Sequence, residues 1–412
     1  MIEFSKFELA NGLRVIHHYD PSTPLAVMNI LYNVGSRDEN PEKTGFAHLF
    51  EHLMFGGSVN IPDFDGPLQA AGGENNAFTN TDITNYYLTL PANNIETGFW
   101  LESDRMLSLA FGEKSLEVQR KVVIEEFKQR YLNQPYGDVW LKMRDLAYTT
   151  HPYKWATIGK EIKHIEEATL EDVKAFFKKF YNPNNAIMCI AGGVKIEEVK
   201  ELCEKWFGDI PKNERNQNLY PAEPVQTEAR SLTVKADVPA NAIYKAYHCV
   251  ARSDAKYYST DLLSDVLSRS NSSRLYTELL KNQGLFSDIN AYVTGEIDKG
   301  LFVVAGRLVD GVSMETAEKA ILEQLALVQN ELVSDEELEK VKNQVETTVT
   351  FSEISILNKA MGFCYGELLG NVNLINEEVD MYKAITKEEI QARAKELFRP
   401  ENCSTIYYHT NN

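Results

Sequence analysis

The chain has 412 residues, of which 43% are hydrophobic and 25% charged. That is an ordinary globular balance in a chain longer than one core usually serves, so two or more domains are expected. The formal net charge of −18 excludes nucleic acid and anionic membrane as electrostatically favoured partners and favours, weakly, cationic or neutral substrates.

Other exclusions are local. No apolar run approaches the length of a membrane span. The opening Met1-Ile-Glu-Phe-Ser-Lys lacks the basic and apolar regions of a signal peptide. The five cysteines (189, 203, 249, 364 and 403) are scattered, with no Cys-x-x-Cys pair, which suits free thiols in a reducing compartment. A cytoplasmic location is the expectation, or a periplasmic one if a leader has been removed.

In chain order, residues 13–17 and 25–32 read as strands, with Asn11-Gly12 as a hairpin turn. A helix follows in Thr44-Gly-Phe-Ala-His48-Leu-Phe-Glu51-His52-Leu-Met-Phe55. On a helix, positions i and i+4 stack on one face, so His48 and His52 can reach one metal ion, and Glu51 projects beside it. Two histidines and a nearby carboxylate in this His-x-x-Glu-His order are the pattern of catalytic zinc with a position left for water. A merely buried helix would have to hide two imidazoles and a carboxylate among Phe46, Leu49, Phe50 and Leu53; a metal removes that cost.

Residues 77–90, rich in β-branched and aromatic side chains, read as one strand. Long helices are expected over 94–110 and 114–132. The second of these carries the adjacent carboxylates Glu125 and Glu126 among Val122, Val123, Ile124 and Phe127. Catalytic zinc needs a third protein ligand, and either glutamate is a candidate; a solvated pair on a helix face is the plain alternative.

An internal repeat organises the rest. Thr169, Pro183 and Asn185 recur as Thr386, Pro400 and Asn402. Each pair is 217 apart (386 − 169, 400 − 183, 402 − 185), in two capped helices that each lead through a Pro turn into a strand. The chain is therefore read as two homologous halves, 1–212 and 225–412, joined by a polar, Pro-bearing linker at 213–224. The fold class is α+β, each half a mostly antiparallel sheet with helices on one face. The second half has no His-x-x-Glu-His, so it is expected to be metal-free.

With these residues in hand, the chain resembles the pitrilysin-type, or M16, zinc peptidases. The likeness rests on the His48–His52 motif with a glutamate about 75 residues on. It extends through Asn11-Gly12-Leu13, Gly35-Ser36, Gly73 to Thr79, His151-Pro152 with Gly159, Asn184-Asn185, and Ser273-Arg274-Leu275. The resemblance implies that Glu126, in Val123-Ile-Glu-Glu126, is the third ligand to one Zn²⁺ per chain, with Glu125 as fallback. It implies that Glu51 is the general acid–base, and that Asn76, Ala77 and Phe78 bind an extended peptide as an added strand. The implied activity is zinc-dependent endopeptidase action on unfolded peptides or small proteins.

Two positions depart from the family. Where active members carry an Arg and, seven residues later, a Tyr, this chain has Leu280 and Ser287, neither able to stabilise an oxyanion as that pair would. Gln119 stands where a glutamate often braces a ligand histidine. The expectation is a heterodimer with a metal-free M16-like subunit that supplies the missing pair, or a homodimer. The rival expectation is a non-catalytic core subunit of an M16-like complex.

Overall fold

The computed structural model describes residues 1–217 and 219–411. Asn218, in the expected 213–224 linker, and Asn412, in the expected second half, lie outside the described residues.

The first sheet contains β1 (Ser5–Glu8), β2 (Arg14–Tyr19), β3 (Leu25–Tyr32), β4 (Glu74–Thr79), β5 (Thr84–Pro91) and β6 (Ala186–Gly192), in the order β1-β2-β6-β3-β5-β4. The second contains β7 (Arg230–Ala236), β8 (Ala242–His248), β9 (Phe286–Val293), β10 (Leu301–Leu308) and β11 (Cys403–Thr410), in the order β7-β11-β8-β10-β9. Neighbours are antiparallel except β2–β6 and β7–β11, which are parallel. Five strands thus repeat in one spatial order, with the parallel pair in the same place. Three of them begin 217 residues apart: 242 − 25, 301 − 84 and 403 − 186. The α+β reading and the duplication both stand, except that helices cover both faces of each sheet rather than one.

The helices that position the site are, in chain order, α1 (Phe46–Met54), α2 (Ile95–Leu107), α3 (Glu113–Phe127), α4 (Val139–Ala147), α5 (Leu170–Phe180), α6 (Tyr257–Ser268), α7 (Ile356–Leu368) and α8 (Lys387–Leu397). Thr169 and Thr386 cap α5 and α8 through their hydroxyls, accepting from Asp172 N and Glu389 N, as the repeat requires.

Residues 77–90 are not one strand. Asn80 turns the chain, its side chain accepting from Asp82 N and Ile83 N at 2.8 and 2.9 Å. The Asx turn overrides the β-branched run around it and makes β4–β5 a hairpin. The helix expected to reach 132 is α-helical to Phe127 and continues as a π turn over Lys128–Leu132.

The linear division at 213–224 is not the division in space. One compact unit comprises 1–128, 155–220 and 350–377; the other comprises 129–154, 221–349 and 378–412. Each half of the sequence therefore lends a helix to the other unit. The lent helices α4 and α7 start 217 apart (356 − 139), so the loan is part of the repeat.

Burial explains it. β3 and β6 are long apolar runs, enclosed on both faces over nearly their whole length. In the first unit, α2 packs on the face bearing Leu88, whose methyl lies against Gly98. The other face, with Asn29, is covered by α7, whose Cys364 Sγ lies 3.8 Å from Asn29 O and 3.6 Å from Ile187 O. Phe363 of α7 is fully buried against Phe4 and His18, and Glu367 pairs with Lys6 and Arg14. In the second unit, α4 inserts Val139, Met143 and Ala147 among Ala242, Ala246, Val303 and Ile406, while α6 and α8 build the opposite layer.

Candidate metal centre

The local sequence makes α1 two-sided. Phe46, Ala47, Leu49, Phe50, Leu53 and Met54 are buried, while His48, Glu51 and His52 are half-buried on the remaining face. Phe50 stacks among Phe176, Phe177 and Tyr181, which fixes the rotation of the helix. The two imidazole centroids are 4.8 Å apart with planes at 85°.

The start of α1 is set by Gly45, at φ 87°, with no side-chain cap of its own. A Cβ there would fall 2.7 Å from Ile158 O, so only glycine fits. The cap comes instead from Glu39, whose two carboxylate oxygens accept from Gly45 N and Ala47 N, each at 2.8 Å. Sequence reasoning did not single out Glu39; its sole signal is a carboxylate six residues before Gly45, an N-cap with no side chain.

The third group arrives on α3. Leu116, Val123 and Phe127 are buried, which turns Glu126 toward α1. Glu126 Oε2 lies 3.7 Å from His48 Nε2 and 3.5 Å from His52 Nε2. Ligand atoms at about 2.0–2.1 Å from a tetrahedral zinc stand about 3.3–3.4 Å from one another, so the residues present fit the ion. Among the described residues, these three form the group of His, Cys, Asp or Glu side chains close enough to share a metal, their ligand atoms all within 4.8 Å. Glu125 faces away, 60% exposed and paired with Lys128 at 2.7 Å.

Glu51 lies on the same helix face, half-buried. Burial holds the Tyr86 and Tyr181 hydroxyls behind it above their ordinary range; Tyr181 adds to the rise at Tyr86, and the neighbouring Glu51 adds a smaller push at both. Gln119 is two turns before Glu126 on α3 and half-buried.

Asn76, Ala77 and Phe78 sit on β4, the outer strand of its sheet. Asn76 and Phe78 are exposed and Ala77 half-buried. The Ala77 N–H is held by the Asn76 side-chain oxygen at 2.8 Å. Leu280 packs against the core of the second unit, and Ser287 is exposed on β9; neither position offers a donor resembling Arg or Tyr.

The duplicated half differs at the positions matching the two histidines. Positions 217 beyond His48 and His52 are Asp265 and Arg269 (48 + 217, 52 + 217). Arg269 Nη1 donates to Asp265 at 2.8 Å and its other terminal nitrogen to Thr348 at 2.7 Å. An arginine stands where two histidines would hold a cation.

Two family models match the chain: "Insulinase (Peptidase family M16)" over residues 14–152 and "Peptidase M16 inactive domain" over 167–345. A relative from Helicobacter pylori named zinc protease PqqE is 32% identical over 341 residues, 81% of this chain and 76% of its own length. The beta subunit of the mitochondrial-processing peptidase of Saccharomyces cerevisiae is 24% identical over 84% of this chain and 78% of its own. The crystal structure of a protease from Helicobacter pylori superposes with a TM-score of 0.93 at 27% identity, covering 99% of this chain and all of that one. The chain belongs to peptidase family M16, the family of those zinc proteases, as a member built from two homologous halves.

Proposed function

We propose that the chain is a zinc-dependent endopeptidase acting on unfolded peptides or small proteins. The observation that carries this reading is the convergence of His48, His52 and Glu126 within ligand distance, with Glu51 on the same helix face. Zn²⁺ held by those three side chains supplies a Lewis acid for the scissile carbonyl and a water whose pKa falls toward neutrality.

The chain's own residues do the rest. The Glu51 carboxylate takes the proton of the attacking water and returns it to the leaving amine nitrogen. Gln119 braces a ligand histidine through its side-chain carbonyl, without the charge a glutamate would bring. The outer edge of β4 takes the peptide as an added strand through main-chain hydrogen bonds, which demand little of its sequence. For that, the Asn76 side chain releases the Ala77 N–H to the incoming carbonyl.

Leu280 and Ser287 leave one task unfilled, since neither supplies a cation or phenol for the oxyanion. A second, metal-free M16-like subunit providing an Arg and a Tyr completes the site; a homodimer of low activity is the alternative assembly. The same two residues, with a second half of the type described as inactive, favour a second reading, a non-catalytic core subunit. The five buried free cysteines suit a reducing compartment such as the cytoplasm.

The deciding experiment measures zinc content and cleavage of an unstructured peptide for the native chain and for Glu51→Gln. One zinc per chain in both, with turnover lost roughly 10²–10⁴-fold in the variant, supports the peptidase. A metal-free native chain, or an unimpaired variant, refutes it.

A further inference from the structure

We propose that Glu39 is a positioning residue of the metal centre: its carboxylate clamps the first turn of α1 and thereby aims His48 and His52 at Glu126. This rests on the reading of His48, His52 and Glu126 as metal ligands.

A helix start leaves its first N–H groups without partners, and a side chain at the N-cap usually takes one of them. The N-cap here is Gly45, which has no side chain to offer. Glu39 fills the gap from the preceding loop. One oxygen accepts from Gly45 N and the other from Ala47 N, both at 2.8 Å. Trp155 Nε1 completes the clamp, donating to Glu39 at 3.1 Å and to Ser36 O at 2.8 Å. Glu39 is only 7% exposed, so water does not compete for these bonds.

The geometry makes this more than a cap. Two oxygens on a rigid carboxylate plane, gripping amides two residues apart, fix both the rise and the rotation of the first turn. Ala47 immediately precedes His48, and His52 is one turn further on. A slip of the first turn carries both imidazoles with it, while Glu126, on α3, stays put. With ligand atoms already 3.5 and 3.7 Å apart, there is little slack for zinc to absorb. All three N–H groups donate, so both oxygens accept; burial pushes the Glu39 carboxyl up to about 8 while these same three donors pull it down, and an amide cannot accept at both positions.

The test compares the native chain with Glu39→Gln, Glu39→Asp and Trp155→Phe. For each, the dissociation constant for zinc is measured by chelator competition. The visible spectrum of the cobalt(II) form reports ligand geometry, and the thermal midpoint of the metal-free form reports folding alone. In Glu39→Gln the NH₂ faces one of the N–H donors, and zinc affinity falls roughly 10–100-fold, the range for groups that orient metal ligands, with an altered cobalt spectrum. Glu39→Asp keeps a carboxyl with two acceptor oxygens on a shorter arm and recovers part of the loss. Trp155→Phe leaves both backbone bonds and stays within about threefold of native.

A Glu39→Gln chain with native zinc affinity and cobalt spectrum overturns the proposal, whatever its thermal midpoint. If Glu39→Gln fails to fold, Glu39→Asp decides: native zinc affinity in that variant overturns it equally. Failure of the underlying reading shows elsewhere, as a native chain that binds no zinc and is indifferent to His48→Ala.

Discussion

His52 Nε2 and Glu126 Oε2 lie 3.5 Å apart although 74 residues separate them (126 − 52). Neither helix alone brings three candidate ligands together. The Phe50 cluster and the Gly45 start fix α1; the buried stripe Leu116, Val123 and Phe127 fixes α3. The pair therefore reports the packing of the whole first unit, and its chemistry fails if either helix turns.

Replacing Glu126 by Gln removes the proposed anionic ligand while keeping its shape. Zinc stoichiometry in a dialysed sample should fall from one to near zero, or affinity by two orders of magnitude or more. The matching change at the neighbouring residue, Glu125→Gln, should leave zinc bound, because that side chain is exposed and engaged with Lys128. An exposed pair of that kind is worth about 0–1 kcal/mol, so stability should barely change. Equal zinc loss in both variants would mean that α3 is rotated from the orientation described.

Gly45→Ala tests the start of α1 independently of any carboxylate. The new Cβ meets Ile158 O and Ile165 Cδ1 at 2.7 Å, in a backbone at φ 87°. Left-handed strain and the clash together should cost about 1–3 kcal/mol, read as a lower urea midpoint with unchanged slope. Zinc affinity should fall with it, since His48 follows three residues later. A variant as stable as the native chain would show that the turn relaxes freely.

Much of this was legible in the sequence, and the reasons are specific. The α1 pattern of 46, 47, 49, 50, 53 and 54 is a helix stripe, and β3 is an eight-residue apolar strand. The 217-residue offset showed the duplication because both copies keep their Thr caps. Glu126 against Glu125 was not decided by local pattern. It depends on Val123 being buried and Val122 being 43% exposed, and both are simply valine in the sequence. The β4–β5 turn was hidden because Asn80 and Asp82 sit inside a run of strand-forming residues. The exchange of α4 and α7 was hidden for a deeper reason: an amphipathic helix declares that it has an apolar face, not which sheet, hundreds of residues away, will cover it.

That exchange has a consequence for truncation. A chain ending at residue 212 lacks α7 and exposes the Asn29 and Cys189 face of β3 and β6, which is fully buried in the whole protein. It should aggregate or melt without a cooperative transition by circular dichroism, and bind zinc poorly despite retaining His48, His52 and Glu126. In the full-length chain, Phe363→Ala empties part of the same layer and should cost about 3–5 kcal/mol. A 1–212 fragment that unfolds cooperatively near the native midpoint would show that α7 is dispensable.

The replacement pair in the second unit makes a pH prediction. Burial, with the negative charge of Asp261 one turn away, pushes the Asp265 carboxyl up to about 7, against the pull of Arg269. Asp261 itself is raised by burial while the Tyr382 hydroxyl, at 2.6 Å, pulls it back. An unfolded aspartate titrates near about 3.9, so between about pH 4 and pH 7 the folded chain binds more protons at Asp265 than the unfolded one. Stability from this group is then fully present below about pH 4 and lost as pH rises through about 7. Asp265→Asn, which keeps an acceptor for Arg269, removes that slope. Urea unfolding at pH 5 and pH 8 should show the native chain losing more stability over the interval than the variant, by on the order of 1–3 kcal/mol. Parallel losses would mean that Arg269 holds Asp265 ionised throughout, its guanidinium outweighing burial and Asp261.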